Sequence, residues 1–430
     1  MKPPSGSPAD VISPMLRTAR WSTFALLFLN GFGQTSWIIH TPSFVKNLNL
    51  SLAQLGFAIS AIGIGSILII PAIGFLLTRF GIQAGAAAAF ALFGAGLLLV
   101  GTAQNYQMFL VGLIFGGAGS AAVESCGSTS GSRVEHAFKK PMMPAFIGAM
   151  AAGSVVGTLF GAILLAFDVP PRLHLSIVCI IILVCGFALS FKLIPGKNDP
   201  TTGRRVRVRP TPSWRLAGIC MIILVSVVEG AAFGFAAVYM ADDLGATAAV
   251  AALGVTFHTL GTATAQLSGN WLRARFSPAV IVRVLVILGG SVMGGALYLG
   301  SIVPALIGFF AFGASVAFVY PAGLSAAADT QPTPAPGITV AQTVRYLGAF
   351  GAAPLLGAIV DATNLTQMFI MTIVFSVVLT LLLAGILGTR PGLTAREGGE
   401  LPDFEATSSG PELANVPVPR AERPGERVDS

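Results

Sequence analysis

Long apolar runs recur along the whole chain, and each is about the length of one membrane-spanning helix. A helix needs roughly 20 mostly apolar residues to cross the hydrocarbon core of a bilayer. By that measure we predict about twelve spans, with approximate limits 20–44, 52–78, 84–104, 106–130, 142–167, 173–194, 214–240, 247–273, 279–300, 303–328, 338–362 and 367–389. Composition agrees, since only 10% of the 430 residues are charged, against about 25% in soluble domains. The sequence therefore predicts an all-α integral membrane protein.

The lysines and arginines lie almost entirely on one side of this layout. With the N-terminus in the cytoplasm, the opposite side receives only Lys46 and Arg172, and Arg345 alone lies inside a span. Such a bias predicts a multi-pass protein of the cytoplasmic (inner) membrane with both termini in the cytoplasm. The formal charge of +7 then marks a membrane face, which argues against a nucleic-acid partner. We expect this face to contact membrane lipids.

The longest stretch between spans, "PGKNDPTTGRRVRVRPTPSWR" from residue 195, divides the helices into two sets of six. The last forty residues are polar and rich in Pro, Glu and Ser, a composition typical of disorder. The predicted organisation is therefore a cytoplasmic N-terminal segment (1–19), an N-terminal six-helix bundle (20–194), a basic cytoplasmic linker (195–213), a C-terminal six-helix bundle (214–390) and a disordered cytoplasmic tail (391–430).

The two sets of helices repeat each other in sequence. "GFLLTRFG" from Gly74 matches "GNWLRARFS" from Gly269, and "LVGLIFGGAGSAAVE" from residue 110 aligns with "LIGFFAFGASVAFVY" from residue 306. Paired six-helix repeats indicate a secondary transporter whose site lies between the repeats near the middle of the bilayer. In this register Glu124 is opposite Tyr320, so the two repeats differ chemically where they face each other.

With the repeat and its loop motifs established, the chain resembles the major facilitator superfamily over residues 18 to 390. The "GFLLTRFG" loop is similar to the signature between that family's second and third helices, although Thr78 replaces the usual acid. The resemblance implies two six-helix bundles that rock about a central cavity lined by helices one, four, seven and ten. It also implies gating roles for five loop residues, Gly74, Arg79 and Gly81 in the first repeat and Gly269 and Arg273 in the second.

Within that superfamily the chain most resembles the fucose-permease-like branch of bacterial inner-membrane permeases. The stretches that carry this likeness include "FLNGFGQTSWIIHTP", "VVEGAAFGFAAVYM" and "RYLGAFGAAPLLGAIVDAT". In permeases of that type an acid in the fourth helix is associated with proton coupling, and Glu124 stands at the matching place. We therefore expect a secondary active transporter that moves a small polar solute, sugar-like or an organic acid, by alternating access with proton symport.

Only two of the 18 acidic residues, Glu124 and Glu229, lie deep inside predicted spans. An ionised carboxylate in mid-membrane costs roughly 2.5–3.5 kcal/mol, so such residues usually face a cavity or a partner. Ser120, Glu124 and Ser128 recur every four residues and form one polar stripe. We predict that Glu124 and Glu229 couple transport to protons. The alternative for Glu124 is a protonated acid that holds helices together through serine hydrogen bonds.

More than one role is open for three residues inside predicted spans, namely Glu229, Arg345 and His258. Glu229 can hold a substrate hydroxyl or amine, carry a second proton, or pair with an interior arginine. Arg345 can bind an anionic substrate group, neutralise Glu229, or extend to the cytoplasmic surface. His258 can act as a titrating relay or stay neutral beside a hydroxyl group. Polar and aromatic side chains are typical of solute sites, and the predicted substrate-binding residues are Asn30, Gln34, Trp37, Tyr320, Arg345, Gln342 and His258.

Catalytic and cofactor motifs are absent from the sequence. It contains no GxxxxGK[ST] phosphate loop, no nucleophile elbow, no H-E-x-x-H and no CxxC pair among its four cysteines. We therefore expect a monomeric protein that is not an enzyme and needs no cofactor or metal. Two other functions remain open, namely proton-antiport efflux of amphipathic compounds and a transporter-like receptor or scaffold that uses the tail.

Overall fold

The computed structural model describes residues 14–138, 142–196, 213–331 and 334–388. Most of the predicted linker and essentially all of the predicted tail lie outside these residues, so they stay predictions. All regular elements in the described ranges are helical, as the apolar runs predict.

The helices follow the predicted runs closely. Their bounds are α1 Pro14–Ser36, α2 Thr41–Asn47, α3 Leu52–Arg79, α4 Gly81–Gly101, α5 Tyr106–Phe138, α6 Met143–Ala166, α7 Pro171–Ser190, α8 Trp214–Phe233, α9 Ala236–Val238, α10 Ala248–Leu267, α11 Gly269–Arg275, α12 Pro278–Leu299, α13 Ile302–Ala328, α14 Pro334–Ala362 and α15 Leu365–Leu383. Eleven helices of the described chain are long and apolar enough to cross a membrane. The helix α1 packs against α5 and α6 and completes the twelve-helix layout.

Three spans are shorter than the hydrophobic runs that predict them. The first ends at Ser36 and continues as a single 3₁₀ turn and the short α2, which has Pro42 in its first turn. The seventh ends at Phe233, where Gly234 caps the helix and a break precedes α9. The eighth ends at Leu267, and α11 begins at Gly269. Apolar character persists through the first two breaks, because their connecting residues are buried in the protein, so hydrophobicity alone overestimates these two lengths.

The helices form two bundles that meet along two lines of contact. In the N-terminal bundle α5 packs against α3 and α4, and α1 against α6, whereas α13 packs against α8, α10 and α12 in the C-terminal bundle. Across the bundles α3 contacts α14, and α6 contacts α10. We call these lines the α3–α14 seam and the α6–α10 seam. The sequence repeat makes them equivalent, since α3 corresponds to α10 and α6 to α14.

The N-terminus of α3 is hydrogen-bonded to α14 of the C-terminal bundle. Ser51 Oγ accepts a hydrogen bond from the backbone N–H of Gln54, whose side chain accepts one from the Ser51 N–H. The next two free N–H groups, of Leu52 and Ala53, donate to the two carboxylate oxygens of Asp361, at 3.0 and 3.2 Å. A carboxylate at a helix N-terminus is stabilising because it satisfies donors and opposes the helix dipole. These bonds therefore hold the α3–α14 seam together where α3 begins.

Candidate functional site

A cavity of ≈ 810 Å³ lies between the two bundles. The N-terminal bundle lines it with α1, α3, α4 and α5, and the C-terminal bundle with α8, α10, α13 and α14. This volume is in the usual range for small-molecule sites, about 300–1,000 Å³. The first, fourth, seventh and tenth membrane spans, which we expected around the cavity, are α1, α5, α8 and α13. All four contribute to its wall.

The cavity has two chemically different ends. One end, near the start of α5, is lined by apolar and aromatic side chains such as Trp37 and Leu97, and the Trp37 ring centre lies 6.4 Å from that of Phe109. The other end is polar: Glu124 lies about 27 Å along α5 from the start of that helix at Tyr106, at roughly 1.5 Å per residue. Tyr320 occupies a comparable depth on α13 and also lines the cavity. The two residues that the repeat aligns therefore face one space from opposite bundles.

Glu124 is exposed to the cavity. Nothing in the described part of the chain forms a hydrogen bond or an ion pair with its carboxylate. Ser120, one turn away, donates instead to Asn30 Oδ1 at 3.0 Å, and Ser128 is exposed. The serine-bonded alternative for Glu124 is thus not the arrangement observed, and its carboxylate is free to meet solute or water.

Arg345 lies over an aromatic surface at the same end. Its guanidinium carbon is 4.4 Å from the centre of the Tyr320 ring and 5.9 Å from that of Tyr346. Tyr346 also interacts electrostatically with Arg345 and Glu124. We call these four residues, Glu124, Tyr320, Arg345 and Tyr346, the charged cluster. Sequence reasoning missed Tyr346, although its position beside the arginine of a predicted span was a usable signal.

Glu229 and His258 lie away from the cavity wall. Glu229 is only 1% exposed, and Ser315 of α13 donates a hydrogen bond to its Oε2 at 3.4 Å. Among described residues no arginine pairs with it, so Arg345 does not neutralise it in this structure. The His258 ring stacks on Phe233 at 4.1 Å, and neither of its nitrogens has a partner in the chain as described. A hydroxyl-bonded His258 is therefore not observed.

The other predicted substrate-binding residues divide into three groups. Gln34 and Trp37 line the cavity, and their role in substrate binding stays a prediction. Asn30 is fully buried behind the wall, where it accepts from Ser120. Gln342 is exposed on α14 but does not line the cavity. Helical rotation explains the difference, because residues a few positions apart on one helix point in different directions.

The predicted gating residues lie at two turns, one between α3 and α4 and one between α10 and α12. Gly81 joins α3 to α4 with a φ of 83°, a conformation that favours glycine, and Gly74 is exposed in the last turns of α3. Arg79 extends beside Phe80, whose ring centre is 5.7 Å from its guanidinium carbon. In the second repeat Gly269 begins α11, and Arg273 lies 5.8 Å from the ring of Phe318. These positions are consistent with a local structural role, and gating remains a prediction.

Comparison with known proteins identifies the family. The model of the Major Facilitator Superfamily matches residues 23–218. An uncharacterised MFS-type transporter of Yersinia pestis is 25% identical over 356 residues, which cover 81% of this chain and 90% of the relative. The chain is therefore similar to major facilitator superfamily transporters over most of its length. Membrane protein MosC of Rhizobium meliloti is a further relative, 23% identical over 82% of this chain and 86% of its own length.

Solved structures of this superfamily share the fold. The nucleoside transporter NupG superimposes with a TM-score of 0.67 at 12% identity, over 86% of this chain and 100% of that structure. The Escherichia coli fucose:proton symporter FucP gives a TM-score of 0.56 at 18% identity, over 86% and 98%. A bacterial homologue of the human lysosomal transporter Spinster gives 0.64 at 15% identity, over 89% and 98%. The predicted twelve-helix superfamily fold is confirmed.

The superfamily establishes the general activity. Its members are transporters of small-molecule solutes and not enzymes, so this multi-pass membrane protein is a transporter. Among the described residues no group of three or more His, Cys, Asp or Glu side chains could hold a metal ion.

Proposed function

We propose that this protein is a proton-coupled symporter that moves a small polar solute across the cytoplasmic membrane by alternating access. The observation that supports this most is the free carboxylate of Glu124 in a cavity between two bundles. The fucose:proton symporter with the same fold is consistent with this chemistry. In this proposal both termini lie in the cytoplasm and the protein works as a monomer.

Alternating access needs one side of the cavity to close while the other opens. The contacts of the α3–α14 seam, such as that of Ser60 Oγ with the Ala349 carbonyl oxygen at 3.4 Å, lie in the outer halves of both helices. They close the cavity towards the outside, whereas Glu124 and Arg345 remain exposed nearer the cytoplasm. We infer that the structure represents an inward-facing state, from which solute leaves to the cytoplasm.

Proton coupling follows from the burial of a charge when the bundles close over it. An ionised carboxylate sealed in a dry cavity is costly, so a protonated Glu124 favours the conformational change and an ionised one resists it. Exposure to the cytoplasm then lets the proton leave. Glu229 remains a second predicted proton carrier, with Ser315 as the hydrogen-bond donor to its ionised form.

The test measures accumulation of solute in proteoliposomes under an imposed pH gradient. We expect Glu124→Gln to abolish pH-driven accumulation while equilibrium exchange of solute continues, because a permanently neutral side chain permits the conformational change without a proton. Glu135→Gln is the matched control, since this glutamate lies on the same helix outside the cavity, where it accepts from the Met142 N–H. Undiminished pH-driven uptake by Glu124→Gln would overturn the coupling role.

The same measurement distinguishes the remaining candidates. Glu229→Gln should reduce coupling if that residue carries a second proton, and should affect only stability if it does not. Reversal of the gradient separates the two directions of transport, because efflux by proton antiport requires protons to enter as solute leaves. Ligand-induced thermal stabilisation identifies the solute itself, since a ligand that binds the folded state stabilises it by mass action.

A further inference from the structure

The cavity presents one cation and one carboxylate to the same space. Arg345 belongs to the C-terminal bundle and Glu124 to the N-terminal bundle, and both line the wall. Within the described residues they form no ion pair with each other or with any other side chain. A guanidinium is protonated at all relevant pH values, so the cavity carries a fixed positive charge that no protein group neutralises by contact.

Tyr320 holds this cation in place while leaving its hydrogen-bonding capacity unused. The guanidinium carbon lies 4.4 Å from the ring centre, a distance typical of a cation–π contact. No acceptor in the described chain bonds to its N–H groups. A guanidinium donates from its edge, in a fork that matches the two oxygens of a carboxylate. Arg345 is therefore preorganised to bind a planar anion.

The rest of the wall suits a solute with an apolar or ring-shaped body. Trp37 and Leu97 line the part of the wall away from the charged cluster, where the Trp37 ring centre lies 6.4 Å from that of Phe109, and Phe93 lies between, level with Gly119. Aromatic and aliphatic side chains bind such a body by removing its surface from water, and the few polar groups fix its orientation. The two ends thus match the two ends of an amphipathic organic acid.

We propose that the solute is a small organic anion whose carboxylate binds Arg345 in the charged cluster while its body lies towards Trp37 and Phe93. The inference rests on the proposed transport function and narrows its substrate class. It also fixes the charge balance of transport, because a monoanion that moves together with one proton on Glu124 carries no net charge. A neutral sugar moved with one proton would carry one positive charge instead.

Binding to the purified full-length protein tests the anion site directly. The probes are two acids, mandelate and cyclohexanecarboxylate, each compared with its neutral primary amide by thermal stabilisation. We expect each acid to bind at least tenfold more tightly than its amide, since a bidentate charged hydrogen bond is lost in the amide. Arg345→Gln should remove that preference, whereas Arg345→Lys should keep part of it.

Arg275→Gln is the matched control variant. Its guanidinium carbon also lies 4.4 Å from an aromatic ring centre, that of Trp271, but it does not line the cavity. This variant should keep the full preference for acids over amides. Amides that bind as well as acids, acids that bind Arg345→Gln unchanged, or no stabilisation by either probe pair would each overturn the anion site.

Flux in proteoliposomes separates this inference from the proposed transport function. Uptake of mandelate, corrected for protein-free liposomes, should respond to a pH gradient and not to an imposed membrane potential. Coupled uptake of glucose that is unaffected by Arg345→Gln would refute the anion site and leave proton symport intact. Acid binding without flux of either solute would support the anion site and refute symport.

Discussion

The two seams between the bundles are equivalent in the sequence repeat but are built from different contacts. In the α3–α14 seam, backbone meets backbone: a Cβ added at Gly56 would overlap the Ala353 carbonyl oxygen. In the α6–α10 seam, side chains meet: Thr158 and Thr259 hydroxyls lie 3.3 Å apart, and a Cβ added at Gly148 would be 3.3 Å from Leu267 Cδ2. At these contacts the α3–α14 seam is packed more tightly than the α6–α10 seam, so we expect it to be the more rigid of the two.

Their positions across the membrane differ as well. The α3–α14 contacts lie in the outer halves of both helices, where Asp361 binds the start of α3. The α6–α10 contacts extend to the opposite end, which is cytoplasmic in the proposed orientation, where the first turns of α6 meet the last turn of α10 at Leu267. We therefore expect the α3–α14 seam to be the contact that must break when the cavity opens outwards, while the α6–α10 seam adapts.

The largest expected effect comes from a methyl group in the tight seam. In Gly56→Ala the new Cβ meets the backbone of α14, which cannot rotate away, so overpacking of about 1–3 kcal/mol should force the seam apart. The substitution Gly63→Cys reports the opening of the seam. Residue 63 lines the cavity, and a Cβ there has open space around it. In a background without the native cysteines, labelling of the introduced cysteine by an impermeant maleimide from outside should rise about tenfold.

Gly148→Ala is the control for the adjustable seam. Its new Cβ meets only the end of the Leu267 side chain, which can shift by a few tenths of an ångström. Labelling at residue 63 and thermal stability should both stay close to those of the parent. Equal labelling in the two alanine variants would show that the seams do not differ in rigidity.

The second-largest expected effect comes from removing the negative charge of Asp361, which binds the start of α3. Asp361→Asn keeps one acceptor oxygen but loses the negative charge and the second hydrogen bond to α3. Loss of such a cap costs about 1 kcal/mol, so external labelling at residue 63 should rise about fivefold.

Asp168 supplies the comparison, because it follows α6 near the corresponding end of the other bundle. Its φ is 54°, which asparagine also tolerates, and in the described chain its side chain makes no bond to α10. Asp168→Asn should therefore leave labelling unchanged. A similar rise in both variants would mean that outer negative charge, and not the contact with α3, controls opening.

Most of the fold could be predicted from the sequence, and the asymmetry of the seams could not. The length of the apolar runs predicts the membrane spans. The repeat aligns Glu124 with Tyr320, and both residues line one cavity. The contact between Asp361 and the start of α3 joins residues about three hundred positions apart. Nothing local in the sequence marks that pairing, because it depends on how two separate bundles dock.

Side-chain direction explains where the predicted site differs from the observed cavity. Glu124 and Glu229 are both acids deep in spans, yet only the first lines the cavity. Composition cannot distinguish them, because each lies on a helix that is apolar on most sides. Which face turns towards the cavity depends on packing, and Glu229 turns towards Ser315 within its own bundle.

The smallest expected effect is in the α6–α10 seam. Thr158 Oγ1 also bonds the Val155 carbonyl oxygen at 3.0 Å, and Thr259 Oγ1 that of Thr256 at 2.9 Å. Each hydroxyl therefore keeps a partner when the bond across the seam is lost. A double-mutant cycle of Thr158→Val and Thr259→Val should give a coupling of about 0.6 kcal/mol in thermal stability, the average for interhelical hydrogen bonds in membranes. A coupling well above 1 kcal/mol would mean that this seam is also a fastened contact, and the difference between the seams would then lie only in their position across the membrane.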